Sequence, residues 1–119
     1  MKGMSTTVAK IIFAIPFIMF GVFHFLKANA MTGYVPSFIP GGVIWVYITG
    51  VALLAAGISF ILNKYAKLAG ILLAVLLLLF IVTIWLPQVA NGEQAALPSL
   101  LKDLGLLGGA LLVSAVSKN

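Results

Sequence analysis

The stretch LAGILLAVLLLLFIVTIWL, residues Leu68 to Leu86, contains no charged side chain. At 1.5 Å per residue, a helix of this length crosses the roughly 30 Å hydrocarbon core of a membrane. Trp85 near its end is typical of the membrane–water interface, and Pro87 follows where a helix is expected to close. The stretch therefore predicts a transmembrane helix with one end at Trp85.

Three further apolar runs of similar length lie on either side of this stretch, at about residues 8–26, 43–62 and 99–116. Of the 119 residues, 63% are hydrophobic and 8% charged, whereas soluble domains have about 25% charged residues. This set of side chains cannot build a water-facing surface. We predict an all-α fold, an integral membrane four-helix bundle that forms a single domain over residues 1–119.

The lysines predict the orientation of the four spans. Antiparallel spans place one group of lysines on the side of the N-terminus and a smaller group on the opposite side: Lys2, Lys10, Lys64, Lys67 and Lys118 against Lys27 and Lys102. Because cytoplasmic loops are enriched in Lys and Arg, both termini are predicted to be cytoplasmic. The expected location is the bacterial inner membrane, with multiple passes. Scattered lysines and the absence of arginine argue against a nucleic-acid partner.

Residues 28–42, between the first two spans, are apolar but contain Pro36 and Pro40. Because proline interrupts helices, this segment is predicted to be a loop or a short helix at the membrane surface. An alternative is that Ala28-Asn29-Ala30 is the cleavage site of a secretory signal. His24 and Lys27 would be unusual just before such a site, so we expect the first span to be retained.

Small residues recur at the spacing that lets membrane helices approach closely. Ala66, Gly70 and Ala74 form such a row on the third span, and Gly105 and Gly109 form a G-x-x-x-G motif on the fourth. The simpler interpretation is packing within the bundle. The alternative is a homo-oligomer formed through the Gly105–Gly109 face.

The most informative polar residues are His24 and Asp103. Ser99 is expected to be the N-cap of the fourth span, so Asp103 would lie about one turn inside it, at the depth of His24. An ionisable residue in a span is a functional candidate, and we name Asp103 as the partner of His24. Such a pair suits proton exchange with a quinol head group, for which the candidate ligand-binding residues are Phe20, Lys27, Pro36, Pro40 and Lys102.

Each of these residues also has a structural interpretation. Asp103 in a first turn is stabilised by the helix dipole, and Lys27 and Lys102 can extend towards the head groups. His24 can be a hydrogen-bonded packing residue. A haem held by His24 and Met19 or Met31 is a weaker alternative, and one His, one Asp and one Glu are too few for an expected metal site. The chain has no cysteine, which excludes a thiol reaction of its own.

The chain resembles the DoxX family of small four-helix membrane proteins in four segments: F-x-x-x-G-V-F-H-F (Phe17 to Phe25), YVPSFIP (Tyr34 to Pro40), WVYITGVALLAAG (Trp45 to Gly57) and LGLLGGALL (Leu104 to Leu112). The family is named after a subunit associated with thiosulfate:quinone oxidoreductase, and related animal proteins act as assembly chaperones. The resemblance implies a four-helix bundle and a quinone-linked redox role. The family's His and Pro positions correspond here to His24, Pro36 and Pro40.

Two functional hypotheses follow from the sequence. The first is a membrane or accessory subunit of a redox system that binds a quinone-like lipid near the outer leaflet, with His24 and Asp103 in the reacting site. The second is a non-catalytic scaffold or assembly chaperone that holds a partner protein through its spans and residues 28–42. Whether the chain is itself an enzyme is left open.

Overall fold

The computed structural model describes residues 3–35 and 40–118; most of these residues are helical and none of them forms a strand. The helices are α1 (Gly3–Leu26), α2 (Ala28–Met31), α3 (Val43–Leu62), α4 (Ala66–Phe80), α5 (Leu86–Ala90) and α6 (Ala96–Val116), with a 3₁₀ turn at Thr32–Tyr34 and a π-helical segment at Ile81–Trp85. Four stretches are long and apolar enough to cross a membrane: Thr6–Leu26, Val43–Leu62, Ala66–Ala90 and Ala96–Val116. The predicted all-α class is confirmed, and each of the four predicted spans corresponds to a helical stretch that is long and apolar enough to cross a membrane.

Two ends of the predicted spans differ from the structure. The third stretch continues beyond Leu86 to Ala90, because α4, the π-helical segment and α5 follow one another without a break. The fourth begins at Ala96, so the expected N-cap at Ser99 is wrong. Pro98 lies in the first turn of α6, where its missing N–H has no helical partner to lose. The Ser99 hydroxyl donates to the Ala95 carbonyl at 3.3 Å.

Glycines bring α1 and α3 together as an antiparallel pair. A Cβ atom on Gly50 would lie 2.9 Å from the His24 Cβ, and one on Gly57 would lie 2.5 Å from the Ile18 side chain. Neither distance can accommodate a methyl group without movement. These helices are therefore in close contact at two places two turns apart along α3, which is how helices associate in lipid.

The helices α4 and α6 form a second antiparallel pair of the same kind. A Cβ on Gly70 would lie 2.7 Å from the Ala110 carbonyl oxygen. Two hydrogen bonds flank this contact: the Ser114 hydroxyl donates to the Lys67 carbonyl at 2.9 Å, and the Lys67 ammonium donates to the Ser114 carbonyl at 3.0 Å. The predicted packing row is confirmed, since Gly70 lies in this contact and Ala66 and Ala74 are buried.

All four long helices contribute to one buried core. Phe17 of α1 and Phe60 of α3 are each 1% exposed, and the Phe13 ring lies 4.9 and 5.7 Å from theirs. Gly109 faces the Phe13 ring, and a larger residue at this position would collide with the ring. A Cβ on Gly105 would meet no described atom within 4 Å, so only half of the G-x-x-x-G motif packs inside the molecule.

The two ends of the molecule differ in their polar groups. At what we call the lysine end, α3 closes with Asn63 in the left-handed conformation (φ 55°), which Asn tolerates better than most residues. The buried Lys10 donates to the Asn63 side-chain carbonyl at 2.8 Å. At the opposite end, the histidine end, α1 gives way to α2 and α6 begins.

Candidate functional site

Asp103 is buried at the histidine end, with only 4% of its surface exposed. The Trp85 indole N–H donates to its Oδ2 at 2.7 Å. The helix begins at Ala96, so Asp103 lies beyond the first turn of α6, contrary to the prediction. Its negative charge is therefore stabilised mainly by side-chain donors and not by the end of its own helix.

Trp85 is the last residue of the π-helical segment, which widens the helix by one residue per turn. Pro87 follows in α5 and has no N–H to donate to the Thr83 carbonyl, so the regular α-helical bond is missing there. In the same segment, the Thr83 hydroxyl donates to the Leu79 carbonyl at 2.6 Å. The segment thus sets the direction in which Trp85 reaches α6.

Lys102 connects Asp103 to α1. Its ammonium lies 3.6 Å from the Asp103 Oδ1 and 5.7 Å from the centre of the Phe20 ring. The second distance is within the range of a cation–π contact. Because 53% of the Lys102 side chain is exposed, the ammonium has room for another acceptor in addition to the carboxylate.

His24 closes the group on the α1 side. Its Nδ1 lies 2.6 Å from the Phe20 carbonyl oxygen, one turn earlier. A carbonyl can only accept, so this contact assigns the proton to Nδ1, and in the neutral ring Nε2 is then an acceptor. Within the described part of the chain, Nε2 makes no hydrogen bond. We call Phe20, His24, Trp85, Lys102 and Asp103 the Asp103 cluster.

The direct contact between His24 and Asp103 that the sequence suggested is not formed among the described residues. The carboxylate interacts with Trp85 and Lys102, and the His24 Nδ1 interacts with a backbone carbonyl. The two residues are nevertheless linked, since Phe20 contacts both His24 and Lys102. The prediction that they lie at similar depth agrees with this chain of contacts.

The other predicted ligand residues fall into three groups. Phe20 and Lys102 belong to the Asp103 cluster. Lys27 is exposed and lies one residue beyond α1, outside these contacts. The Pro40 carbonyl accepts a hydrogen bond from the Trp45 indole at 2.5 Å, which ties the loop to the start of α3. Pro36 lies outside the described residues.

Trp85 is the site residue that the sequence interpretation missed, because it was read only as an interfacial side chain. The nearby Pro87 was a usable signal, since proline in a membrane helix marks a local departure from α geometry. No group of three or more His, Cys, Asp or Glu residues lies together in residues 3–35 and 40–118.

Comparisons with known proteins place the chain in a family but assign no activity to it. No curated protein and no solved structure matches the chain. A family model described as a domain of unknown function, DUF8561, matches residues 13–93, which is more than half of the chain and includes α3, α4 and most of α1. The chain therefore belongs to the DUF8561 family.

Proposed function

We propose that this protein is a membrane or accessory subunit of a quinone-linked redox system, and that it binds the head group of a quinone-like lipid at the Asp103 cluster. The observation that carries the proposal is the buried carboxylate of Asp103 held by Trp85 beside an exposed ammonium. A charged residue kept inside an apolar helix is costly and most often serves a function.

In the proposed arrangement, the four long helices form a bundle in the bacterial inner membrane with both termini in the cytoplasm. The support is the distribution of lysines, since Lys64, Lys67 and Lys118 lie at one end and Lys27 and Lys102 near the other. The Asp103 cluster is then near the outer leaflet. The short helix α2 and the turn after it lie at the membrane surface.

The chemistry of the cluster suits the two oxygen atoms of a quinone or quinol ring. The Lys102 ammonium donates to one oxygen, and the His24 Nε2 accepts the hydroxyl proton of the reduced form. Asp103 stabilises the positive charge of Lys102 and limits the directions it can take. The exposed apolar side chains of α1 and α6, among them Phe23 and Leu104, give the isoprenoid tail an apolar surface.

Electrons must be exchanged with a partner protein in this proposal. Oxidation of a quinol releases two electrons and two protons, reduction of a quinone takes up the same numbers, and the chain contains no cysteine that could carry the electrons. The role of this chain is to hold the head group and exchange protons with it. The resemblance of the sequence to the DoxX family supports the same assignment.

A scaffold or assembly chaperone is the second candidate, and one observation favours it. The buried carboxylate of Asp103 already has a hydrogen-bond donor inside the chain, and no buried side-chain N or O atom of the described residues lacks a hydrogen bond. A cluster of this kind can have a purely structural role, in which it joins α1, the Trp85 segment and α6. The apolar surface would then bind a membrane partner.

The test is purification in mild detergent, followed by an absorption spectrum and mass spectrometry of the co-purifying lipids. We expect about one quinone per chain in the wild type and little in His24→Ala or Lys102→Gln. Lys118→Gln is the matched control, since Lys118 is exposed at the opposite end of the molecule. Circular dichroism confirms that each variant retains its helices.

The two candidates give different results in this experiment. A spectrum without quinone, together with a co-purifying membrane protein that is retained in His24→Ala, would reject the redox proposal in favour of the scaffold. Loss of that partner on substitution of residues in the 28–42 loop would identify where the scaffold binds it.

A further inference from the structure

An apolar groove runs between α3 and α4, separate from the Asp103 cluster. Its volume is about 220 Å³. One wall is formed by small residues of α3, including Ala52, Ala55 and Ser59, and the other by Leu72 and Leu76 of α4. Tyr65 lines the groove in the short turn that joins the two helices. The small α3 side chains leave space that the leucines of α4 do not fill.

The dimensions of the groove fit a single hydrocarbon chain. Its volume of about 220 Å³ is below the roughly 300–1,000 Å³ typical of small-molecule pockets, so the groove is too small to enclose a drug-sized ligand but can hold part of one acyl chain along its length. From Tyr65 to Leu76 the α4 side extends roughly 16 Å at 1.5 Å per residue. That length is close to half of the roughly 30 Å hydrocarbon core, which is the depth of one leaflet.

The charge at the mouth of the groove identifies the head group. Lys64 is exposed beside Tyr65, at the end of the molecule where Lys10 and Lys67 also lie. Both acidic side chains of the chain, Glu93 and Asp103, lie at or near the histidine end. Among the described residues, an anionic group at the mouth would therefore meet positive charges without a competing acidic side chain.

The backbone of the turn directs Tyr65 to this place. Tyr65 has a left-handed conformation, φ 56°, which is uncommon for a bulky residue, and its side chain is 71% exposed while lining the groove. The phenol is thus at the boundary between the groove and the polar turn. Tyrosine at such a boundary places its ring against apolar chains and its hydroxyl towards the head groups.

We propose that the α3–α4 groove binds one acyl chain of an anionic phospholipid, with the phosphate beside Lys64 and Tyr65. The site is independent of the proposed quinone site, because it uses other helix faces at the other end of the molecule. The annular lipids around the remaining surface exchange freely, whereas this lipid is retained by both its chain and its charge.

The test uses native mass spectrometry of the full-length protein, titrated with phosphatidylglycerol or with phosphatidylcholine of the same acyl chains. We expect one phosphatidylglycerol to be retained with about fivefold preference over phosphatidylcholine, the effect of one lysine near an anionic head group. Ala52→Leu/Ala55→Leu fills the groove at exposed positions and should reduce retention at least tenfold. Ala115→Leu, on the exposed surface of α6, is the matched control.

The charge is tested separately with Lys64→Gln, which should abolish the preference for phosphatidylglycerol, whereas Lys118→Gln should retain it. If the double leucine variant does not fold, Lys64→Gln and Lys118→Gln still test the proposal. Unchanged preference in Lys64→Gln, or unchanged retention in a folded Ala52→Leu/Ala55→Leu, overturns the proposal. Because the chain has no native cysteine, Ala55→Cys also tests for a second copy: efficient disulfide cross-linking between chains would assign the groove to a dimer interface instead.

Discussion

Replacing Gly70 with alanine is the most direct test of how α4 and α6 are held together. The added methyl group would lie 2.7 Å from the Ala110 carbonyl oxygen, 2.9 Å from the Ser114 Cβ and 3.0 Å from the Ser114 backbone nitrogen. Two of these three atoms are backbone and cannot turn away. The reciprocal hydrogen bonds between Lys67 and Ser114 oppose separation of α4 from α6.

The expected magnitude follows from a comparison with Gly105, where an added methyl group meets nothing within 4 Å. Both glycines lie in helix interiors, so alanine brings the same gain of up to about 1 kcal/mol in helix propensity at both sites. Overpacking in a well-packed core costs about 1–3 kcal/mol. The free energy of unfolding of Gly70→Ala should therefore be about 1–3 kcal/mol below that of Gly105→Ala.

The assay is unfolding of the purified protein from mild detergent into SDS, followed by far-UV circular dichroism. Gly109→Ala provides an intermediate case, since its methyl group would meet the Phe13 ring, which can shift more easily than backbone. Equal unfolding midpoints for Gly70→Ala and Gly105→Ala would refute the claim that α4 and α6 are in backbone-close contact.

Three further predictions concern the polar contacts and the π-helical segment. Asn63→Gly removes the side-chain carbonyl that Lys10 binds, while glycine tolerates the left-handed backbone at this position. We expect the substitution to lower the free energy of unfolding by about 1–3 kcal/mol in the wild type and by much less in a Lys10→Met background, measured by the same unfolding assay. Asp103→Ala and Trp85→Phe, each of which removes one partner of the hydrogen bond, should each destabilise the protein by about 1–3 kcal/mol and be strongly non-additive in a double-mutant cycle, whereas additive losses would show that the hydrogen bond between them contributes nothing. Pro87→Ala restores an N–H donor to the helix, and in a Trp45→Phe background it should shift the emission of Trp85; an unchanged spectrum would mean that Pro87 does not set the position of the indole.

Much of the fold could be predicted because a membrane imposes a simple length and composition rule. Leu68–Leu86 and the other apolar runs were recognisable as spans, since every backbone polar group in lipid must be satisfied within a helix. The spacing of Ala66, Gly70 and Ala74 likewise predicted a packing face. The helix boundaries were harder to predict from the sequence. The helix α6 begins before Ser99, because Pro98 fits the first turn of a helix as readily as it ends a loop.

The candidate site required the tertiary structure. His24 and Asp103 can be recognised from the sequence as the unusual ionisable residues in apolar surroundings, because each stands out within its own span. The packing of α6 against the Trp85 segment brings the Trp85 indole to Asp103, and the packing of α6 against α1 brings Lys102 to the Phe20 ring. The reason is geometric: the π-helical segment rotates Trp85 relative to a regular helix, and helical periodicity read from the sequence assumes that no such rotation occurs.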